Sequence, residues 1–175
     1  MRKRKVHVAI LIEEAYQDLE VWYPLLRLKE ESFKVMTVGT TQKFYKGKYG
    51  YPIEIDTTID KVSARDFDCV VIPGGWAPDK LRRFPRVNSF VRDIFEKGGV
   101  VASICHGGSV LVSAGILKGR TVTSFDAIKD DIVNAGAKFV DKEVAVDNNL
   151  ITSRKPDDLP AFLRKIIKRL KEIQY

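Results

Sequence analysis

The feature that most constrains this chain is an alternation. Short apolar runs of strand length recur between segments whose apolar residues repeat at helical spacing. Val6 to Ile12 is a near-continuous apolar run, the pattern of a strand buried on both faces. Leu19, Trp22, Tyr23, Leu26 and Leu28 follow at helical spacing. Phe33 to Val38 reads as a second strand, and Asp68 to Pro73 as a third that ends in Gly74-Gly75. Pro85 to Lys97 reads as a helix closed by Gly98-Gly99, with Val87, Phe90, Val91, Ile94 and Phe95 as its apolar residues. Val100 to Ile104 is a fourth core strand, and His106 to Ala114 is the next helix, stopped by Gly115. This order predicts an α/β fold: a mostly parallel sheet with helices on both faces.

Smaller elements fill the remainder. Lys43 to Asp56, with Gly47 and Gly50, reads as a hairpin excursion. Thr121 to Phe125 reads as a short strand, and Ala127 to Ala135 as a short helix stopped by Gly136. Glu143 to Val146 and Leu150 to Ser153 form a hairpin across Asp147-Asn148-Asn149. Asp157-Asp158 opens the last helix, Leu159 to Ile173, where negative charge suits the helix dipole.

Composition bounds the function. The chain has 175 residues, 45% of them hydrophobic and 30% charged, which is enough to bury one core. No run approaches 18 apolar residues, so no membrane span is expected. The basic start leads into a strand rather than a signal region, and a cytoplasmic location is expected. Two cysteines, Cys69 and Cys105, make no disulfide framework and fit a reducing compartment. The net charge of +7 is concentrated at Met1 to Lys5 and at Arg164 to Lys171. These clusters read as a frayed terminus and the wet face of an amphipathic helix. Nucleic acid is not the expected partner, because no base-reading module or interleaved aromatics accompany them.

In open α/β sheets, ligands bind beyond the carboxyl ends of the strands. Three stretches fall there: Glu13 to Glu20, Gly74-Gly75 and Cys105-His106. Strand, Cys, His, Gly, helix has the shape of a nucleophile elbow, in which a tight turn lifts the nucleophile from the sheet edge. The following helix is expected to lower the Cys105 thiol pKa through its positive end. The N–H groups of Gly75 and His106 are candidate oxyanion donors. A packed strand-end cysteine with a chance histidine beside it is the alternative reading. Cys69 lies mid-strand and reads as core, and His7 reads as structural. With two histidines and two cysteines, no structural metal site is expected.

Several stretches together resemble the ThiJ/PfpI family. They are Val-Ala-Ser-Ile-Cys-His-Gly, Val-Ile-Pro-Gly-Gly-Trp-Ala-Pro-Asp, Gly-Arg-Thr-Val-Thr-Ser with its Ile-Lys-Asp-Asp and Asn-Ala-Gly-Ala followers, and Val-Asp-Asn-Asn-Leu-Ile-Thr-Ser-Arg-Lys-Pro-Asp-Asp-Leu-Pro-Ala-Phe. The similarity runs from about Val6 to Leu170, and its nearest branch is that of PfpI-type intracellular proteases and deglycases. It implies one flavodoxin-like three-layer sandwich over residues 1–175, akin to class I glutamine amidotransferase domains, and a cofactor-independent cysteine enzyme. Cys105 resembles the family nucleophile, His106 its adjacent histidine, and Glu20 the acidic residue that hydrogen-bonds the cysteine. That glutamate is expected to sit protonated as a donor, or to repel a thiolate if ionised. Asp79 falls where PfpI-type proteins pair a carboxylate with the histidine across a subunit interface, so a homo-oligomer, dimer or hexamer, is implied.

The sequence also departs from the family pattern around the pocket. Gly108 and Ser109 replace a Pro and a Gln, Gln17 stands where many relatives are acidic, Trp76 follows Gly74-Gly75, and Phe125 stands where an archaeal branch has Tyr. With Gly74 and Gly75 these are the candidate substrate contacts. The substrates expected are short peptides, or small reactive carbonyls and their glycated adducts. The alternative is a non-catalytic redox-sensing or chaperone-like stress protein using the same cysteine.

Overall fold

A computed structural model describes residues 5–174; residues 1–4, which hold most of the amino-terminal basic cluster, and residue 175 lie outside the described residues. The chain runs β1 (His7–Ile12), α1 (Asp18–Glu30), β2 (Lys34–Gly39), β3 (Phe44–Lys46), β4 (Pro52–Glu54), β5 (Thr57–Thr58), β6 (Cys69–Ile72), α2 (Ala77–Leu81) and α3 (Pro85–Glu96). It continues through β7 (Val100–Ile104), α4 (Gly108–Ala114), β8 (Thr121–Val122), α5 (Lys129–Asn134), β9 (Lys138–Phe139), β10 (Val144–Asp147), β11 (Leu150–Ser153) and α6 (Leu159–Ile173).

The main sheet has the order β10-β11-β7-β6-β1-β2-β5, and only the β10–β11 pairing is antiparallel. Its inner five strands, β2-β1-β6-β7-β11, follow the flavodoxin-like order 2-1-3-4-5. Every residue of β6 and β7 is buried, Ser103 of β7 included, as their predominantly apolar runs require of strands covered on both faces. Strand α/β alternation also sets the helices. In α6, Leu159, Phe162, Leu163, Ile166, Ile167 and Leu170 repeat at spacings of three and four and are all buried. Arg164, Lys165, Lys168, Arg169 and Lys171 occupy its exposed face, as the sequence predicts. Two of these cations are already paired, Arg169 with Glu172 and Lys171 with Glu31. Among the described residues, no helix is long and apolar enough to cross a membrane.

The structure corrects three local expectations. The strand over Thr121 to Phe125 stops at Val122 and pairs with β9, a strand not expected from the sequence, in a separate two-stranded parallel sheet. Thr123 and Ser124 lead instead towards the site, and the Thr123 N–H bonds the Thr152 hydroxyl. The helix expected from His106 begins as a single 3-10 turn over Cys105–Gly107, and α4 proper starts at Gly108. Helix α5 is likewise shorter than Ala127 to Ala135, with a 3-10 turn over Asp126–Ile128 before it.

Candidate active site

Sheet register builds the site. Ile72 of β6 lies beside Ser103 of β7 in parallel pairing. The next residues of the two strands therefore run on together, and Gly74 arrives against Cys105. A Cβ on Gly74 would lie 2.7 Å from the Cys105 Cβ and 2.6 Å from Glu20 Oε2, so only glycine lets the two loops meet. Gly75 has φ +77° and turns the chain beneath Ala15 and Gln17. Cys105 itself holds φ +60°, a conformation that costs an L-residue of order 1–3 kcal/mol and recurs at functional turns.

The loop after β1 is stitched to both neighbours. The Gln17 N–H donates to the Gly74 carbonyl at 3.1 Å, and the Trp76 N–H to the Ala15 carbonyl at 2.9 Å. On its other side the Lys48 N–H donates to the Tyr16 carbonyl at 2.7 Å, which brings the β3–β4 turn to the sheet edge. Gln17 caps α1: its Oε1 accepts from the Glu20 N–H at 3.1 Å. That cap starts the helix where the Glu20 side chain points back under Gly74.

Glu20 is fully buried, and its Oε2 accepts the Gly74 N–H at 2.6 Å. Its Oε1 is buried with no ordinary hydrogen-bond partner among the described residues and is left to the Cys105 thiol. Burial pushes the Glu20 carboxyl up to about 7, against the pull of the Gly74 N–H, the Cys105 thiol and the Lys48 charge. The Cys105 thiol is pushed up to about 12, first by burial and then by the Glu20 charge; the N–H groups of His106 and Gly75 act in the opposite sense. This corrects the expectation of a thiol acidified by the helix. Cys105 is only 7% exposed, and desolvation beside a carboxylate outweighs the dipole of the short α4. At neutral pH Glu20 is therefore about half ionised, and Cys105 keeps its proton.

His106 Nδ1 lies 3.4 Å from Cys105 Sγ. The imidazole stacks on Phe125, with centroids 4.9 Å apart, and leans towards Trp76 at 6.1 Å. Burial, then the Lys48 charge, lowers its pKa, so the ring is neutral at pH 7. Asp79 stands apart from this group. Its side chain is 65% exposed and bonds Arg83 Nη2 at 2.5 Å within its own chain.

A pocket of about 420 Å³ opens above the sulfur. Gln17, Gly75, Trp76, Cys105, His106 and Phe125 line it, as the sequence reading proposed, and Gly74 lies beneath. Lys48, Tyr49, Ala127 and Pro156 also line it, and sequence reasoning missed them. Only the hairpin signal at Gly47 and Gly50 marked that turn, and nothing local to it pointed at the cysteine. A recess of about 460 Å³ beside His7 lies at the opposite ends of the strands and contains no cysteine. Cys69 is fully buried as the first residue of β6 rather than in mid-strand, and burial raises its thiol pKa and leaves it inert. No group of three or more His, Cys, Asp or Glu side chains able to hold a metal occurs among the described residues.

A cysteine at a strand-to-turn elbow, backed by a buried carboxyl and flanked by a neutral histidine, is an arrangement able to carry nucleophilic chemistry on a flavodoxin-like sheet. The chain belongs to the DJ-1/PfpI family, whose model matches residues 6–169. It is 45% identical over 164 residues to "Deglycase PH1704" of Pyrococcus horikoshii, covering 94% of this chain and 99% of that protein. It is 39% identical over 165 residues to "Putative cysteine protease YraA" of Bacillus subtilis, covering 94% and 98%. A two-domain protein of Anabaena variabilis with DJ-1/ThiJ/PfpI-like and ferritin-like domains superposes with a TM-score of 0.91 at 46% identity. That match covers 94% of this chain and 50% of the other.

Proposed function

We propose that this chain is a cytoplasmic, homo-oligomeric cysteine enzyme that acts on reactive carbonyls and their amine adducts, a deglycase and glyoxalase type of activity. The observation that carries this reading is the Cys105 sulfur held between the Glu20 carboxyl and the Gly75 and His106 N–H groups. A carboxyl titrating at about 7 beside a buried thiol is matched to general-base work at neutral pH. The relatives named above as a deglycase and a cysteine protease support the same class of chemistry.

On an adduct R–NH–CH(OH)–CO–R′, Glu20 takes the thiol proton as sulfur bonds to the carbinol carbon. The C–N bond breaks and the amine leaves with the proton that Glu20 has just taken. In the resulting hemithioacetal, the carbinol hydrogen moves as a proton to the adjacent carbonyl carbon, and a 2-hydroxyacyl thioester results. Water then hydrolyses the thioester, restoring the thiol and releasing a 2-hydroxy acid. The Gly75 and His106 N–H groups hold the oxygen that gains charge at each stage. A free 2-oxoaldehyde enters at the hemithioacetal. On a peptide, sulfur adds instead to the carbonyl carbon and the amine leaves with the Glu20 proton to give an acyl-enzyme that water hydrolyses, but a 420 Å³ pocket favours small carbonyls or short peptides over folded chains. Redox sensing by an exposed, low-pKa thiolate is disfavoured by a sulfur that is buried and pushed up to about 12.

The oligomer, dimer or hexamer, brings the partner subunit's Asp79 to His106 to orient its ring. Asp79 is surface-exposed in its own chain, and α1 presents exposed Leu19 and Leu26 that a second copy would cover. The test is turnover of methylglyoxal, a methylglyoxal-modified amine and a fluorogenic short peptide by wild type and Cys105→Ser side by side. Carbonyl turnover that requires Cys105 is the expected result. Peptide turnover alone would replace this reading with a peptidase, and carbonyl turnover retained in Cys105→Ser would end it.

A further inference from the structure

The pocket wall carries one full charge. Lys48 and Cys105 apart, its lining is made of neutral side chains, glycine and the neutral imidazole of His106. The Lys48 ammonium lies 5.5 Å from the centroid of the Trp76 ring and 5.7 Å from that of Tyr49, both of which also line the pocket. Lys48 is exposed at the pocket mouth, and its charge acts on His106 and Glu20. No carboxylate forms an ion pair with Lys48 among the described residues.

The turn that carries this lysine is fixed. Both oxygens of Asp18 accept from it, at 2.9 Å from the Tyr49 N–H and 3.1 Å from the Tyr51 N–H. Gly47 packs so closely on Asp18 that a Cβ there would lie 2.3 Å from its carboxylate oxygen. The Lys48 N–H is bound to Tyr16, one residue from the helix cap that positions Glu20. Aromatic faces hold an ammonium without neutralising it, which leaves its charge available to a ligand.

We propose that Lys48 is a specificity-determining residue: its ammonium forms an anion subsite that selects carbonyl substrates carrying a carboxylate or a phosphate group. This rests on the carbonyl reading above for the identity of the substrate, but not for the subsite itself. The reactive carbonyl binds at Cys105 and the anionic group at the pocket mouth, under the aromatic wall of Trp76 and Tyr49.

Two experiments separate the two claims. The first needs no turnover. Cys105 alkylation by iodoacetate and by iodoacetamide, reagents that differ in one charge, is followed by mass spectrometry in wild type, Lys48→Met and Lys48→Glu. Any general change in thiol reactivity cancels in the ratio of the two rates. The iodoacetate-to-iodoacetamide ratio is expected to fall about three- to tenfold in Lys48→Met, as for one screened charge pair, and further in Lys48→Glu. An unchanged ratio across the three proteins overturns the subsite.

The second compares kcat/KM for matched adducts. Methylglyoxal hemithioacetals of N-acetylcysteine and of its amide test the carboxylate. Methylglyoxal adducts of deoxyguanosine monophosphate and of deoxyguanosine test the phosphate. Wild type is expected to prefer the anionic member of at least one pair, and the pair that responds names the source. The preference is expected to vanish in Lys48→Met and reverse in Lys48→Glu, through KM. Equal ratios in all three proteins overturn the substrate assignment. Absence of turnover in wild type with a Lys48-dependent alkylation ratio would remove the carbonyl reading and leave the anion subsite standing.

Discussion

Glu20→Gln isolates what the buried carboxyl does. Glutamine keeps the shape and the acceptor for the Gly74 N–H but neither takes up nor gives up a proton. Wild-type kcat/KM is expected to rise with pH through an apparent pKa of about 7 and then level off, as Glu20 becomes able to accept the thiol proton. In Glu20→Gln the general base is gone, and activity at pH 7 to 8 is expected to fall roughly 100- to 10,000-fold. What remains should keep climbing past pH 9, because burial holds the thiol above its ordinary value of 9.0 even without the carboxylate. Stability should move the other way. The folded-state pKa of Glu20 is raised from 4.5 to about 7, so the folded protein holds a proton that the unfolded chain has released. Stability is therefore lost as pH rises from about 4.5 to about 7, by on the order of 3 kcal/mol at about 1.4 kcal/mol per pKa unit. Glutamine does not titrate and escapes this loss. At pH 8 the variant is expected to melt roughly 6 to 12 °C above wild type, with the difference closing towards pH 4.5. Steady-state rates from pH 5.5 to 10 and calorimetry at pH 4.5 and 8 measure both. An unmoved pH limb at about 7 in the variant, or a Tm difference independent of pH, would falsify the assignment of Glu20 as the titrating base.

Three further outcomes follow from the packing. Gly74→Ala forces a Cβ to within 2.7 Å of its neighbours Glu20 and Cys105; a cost of about 1–3 kcal/mol in urea denaturation and a loss of roughly 100-fold in kcat are expected, and wild-type kcat would count against the close approach. Leu26→Asp and Leu19→Asp place charges on the exposed apolar face of α1, and light scattering should show a lower particle mass if that face is the subunit interface. Phe162→Ala, at a fully buried position where α6 packs on the sheet, is expected to cost about 3–5 kcal/mol by denaturant titration while Cys105 alkylation in the folded protein stays near wild type.

Much of the fold was legible because burial on both faces writes itself into the sequence. A strand covered by helices above and below has little room for polar residues, and β6 is wholly apolar while β1 and β7 each carry one polar residue, His7 and Ser103. Short elements were not legible in this way. Strands β8 and β9 have two residues each, too few to show a period, and their pairing is set by contacts across fifteen intervening residues. Helix α2 has five residues and carries no stripe of its own.

For the site, the sequence by itself determined the nucleophile's setting: a strand, then Cys105-His106, then small residues and a helix, with Gly74-Gly75 after the neighbouring strand. The tertiary structure decided the chemistry of that setting. Whether Cys105 is acidified or held as a thiol depends on how far it is buried and on a carboxyl 85 positions earlier in the chain, and only the fold brings Glu20 and Cys105 together. The same holds for Lys48, whose turn reaches the pocket because Asp18 and Tyr16 tie it to the sheet edge. Desolvation and charge act through space, so the sum that sets a pKa or selects a ligand is taken over neighbours in three dimensions and not over neighbours along the chain.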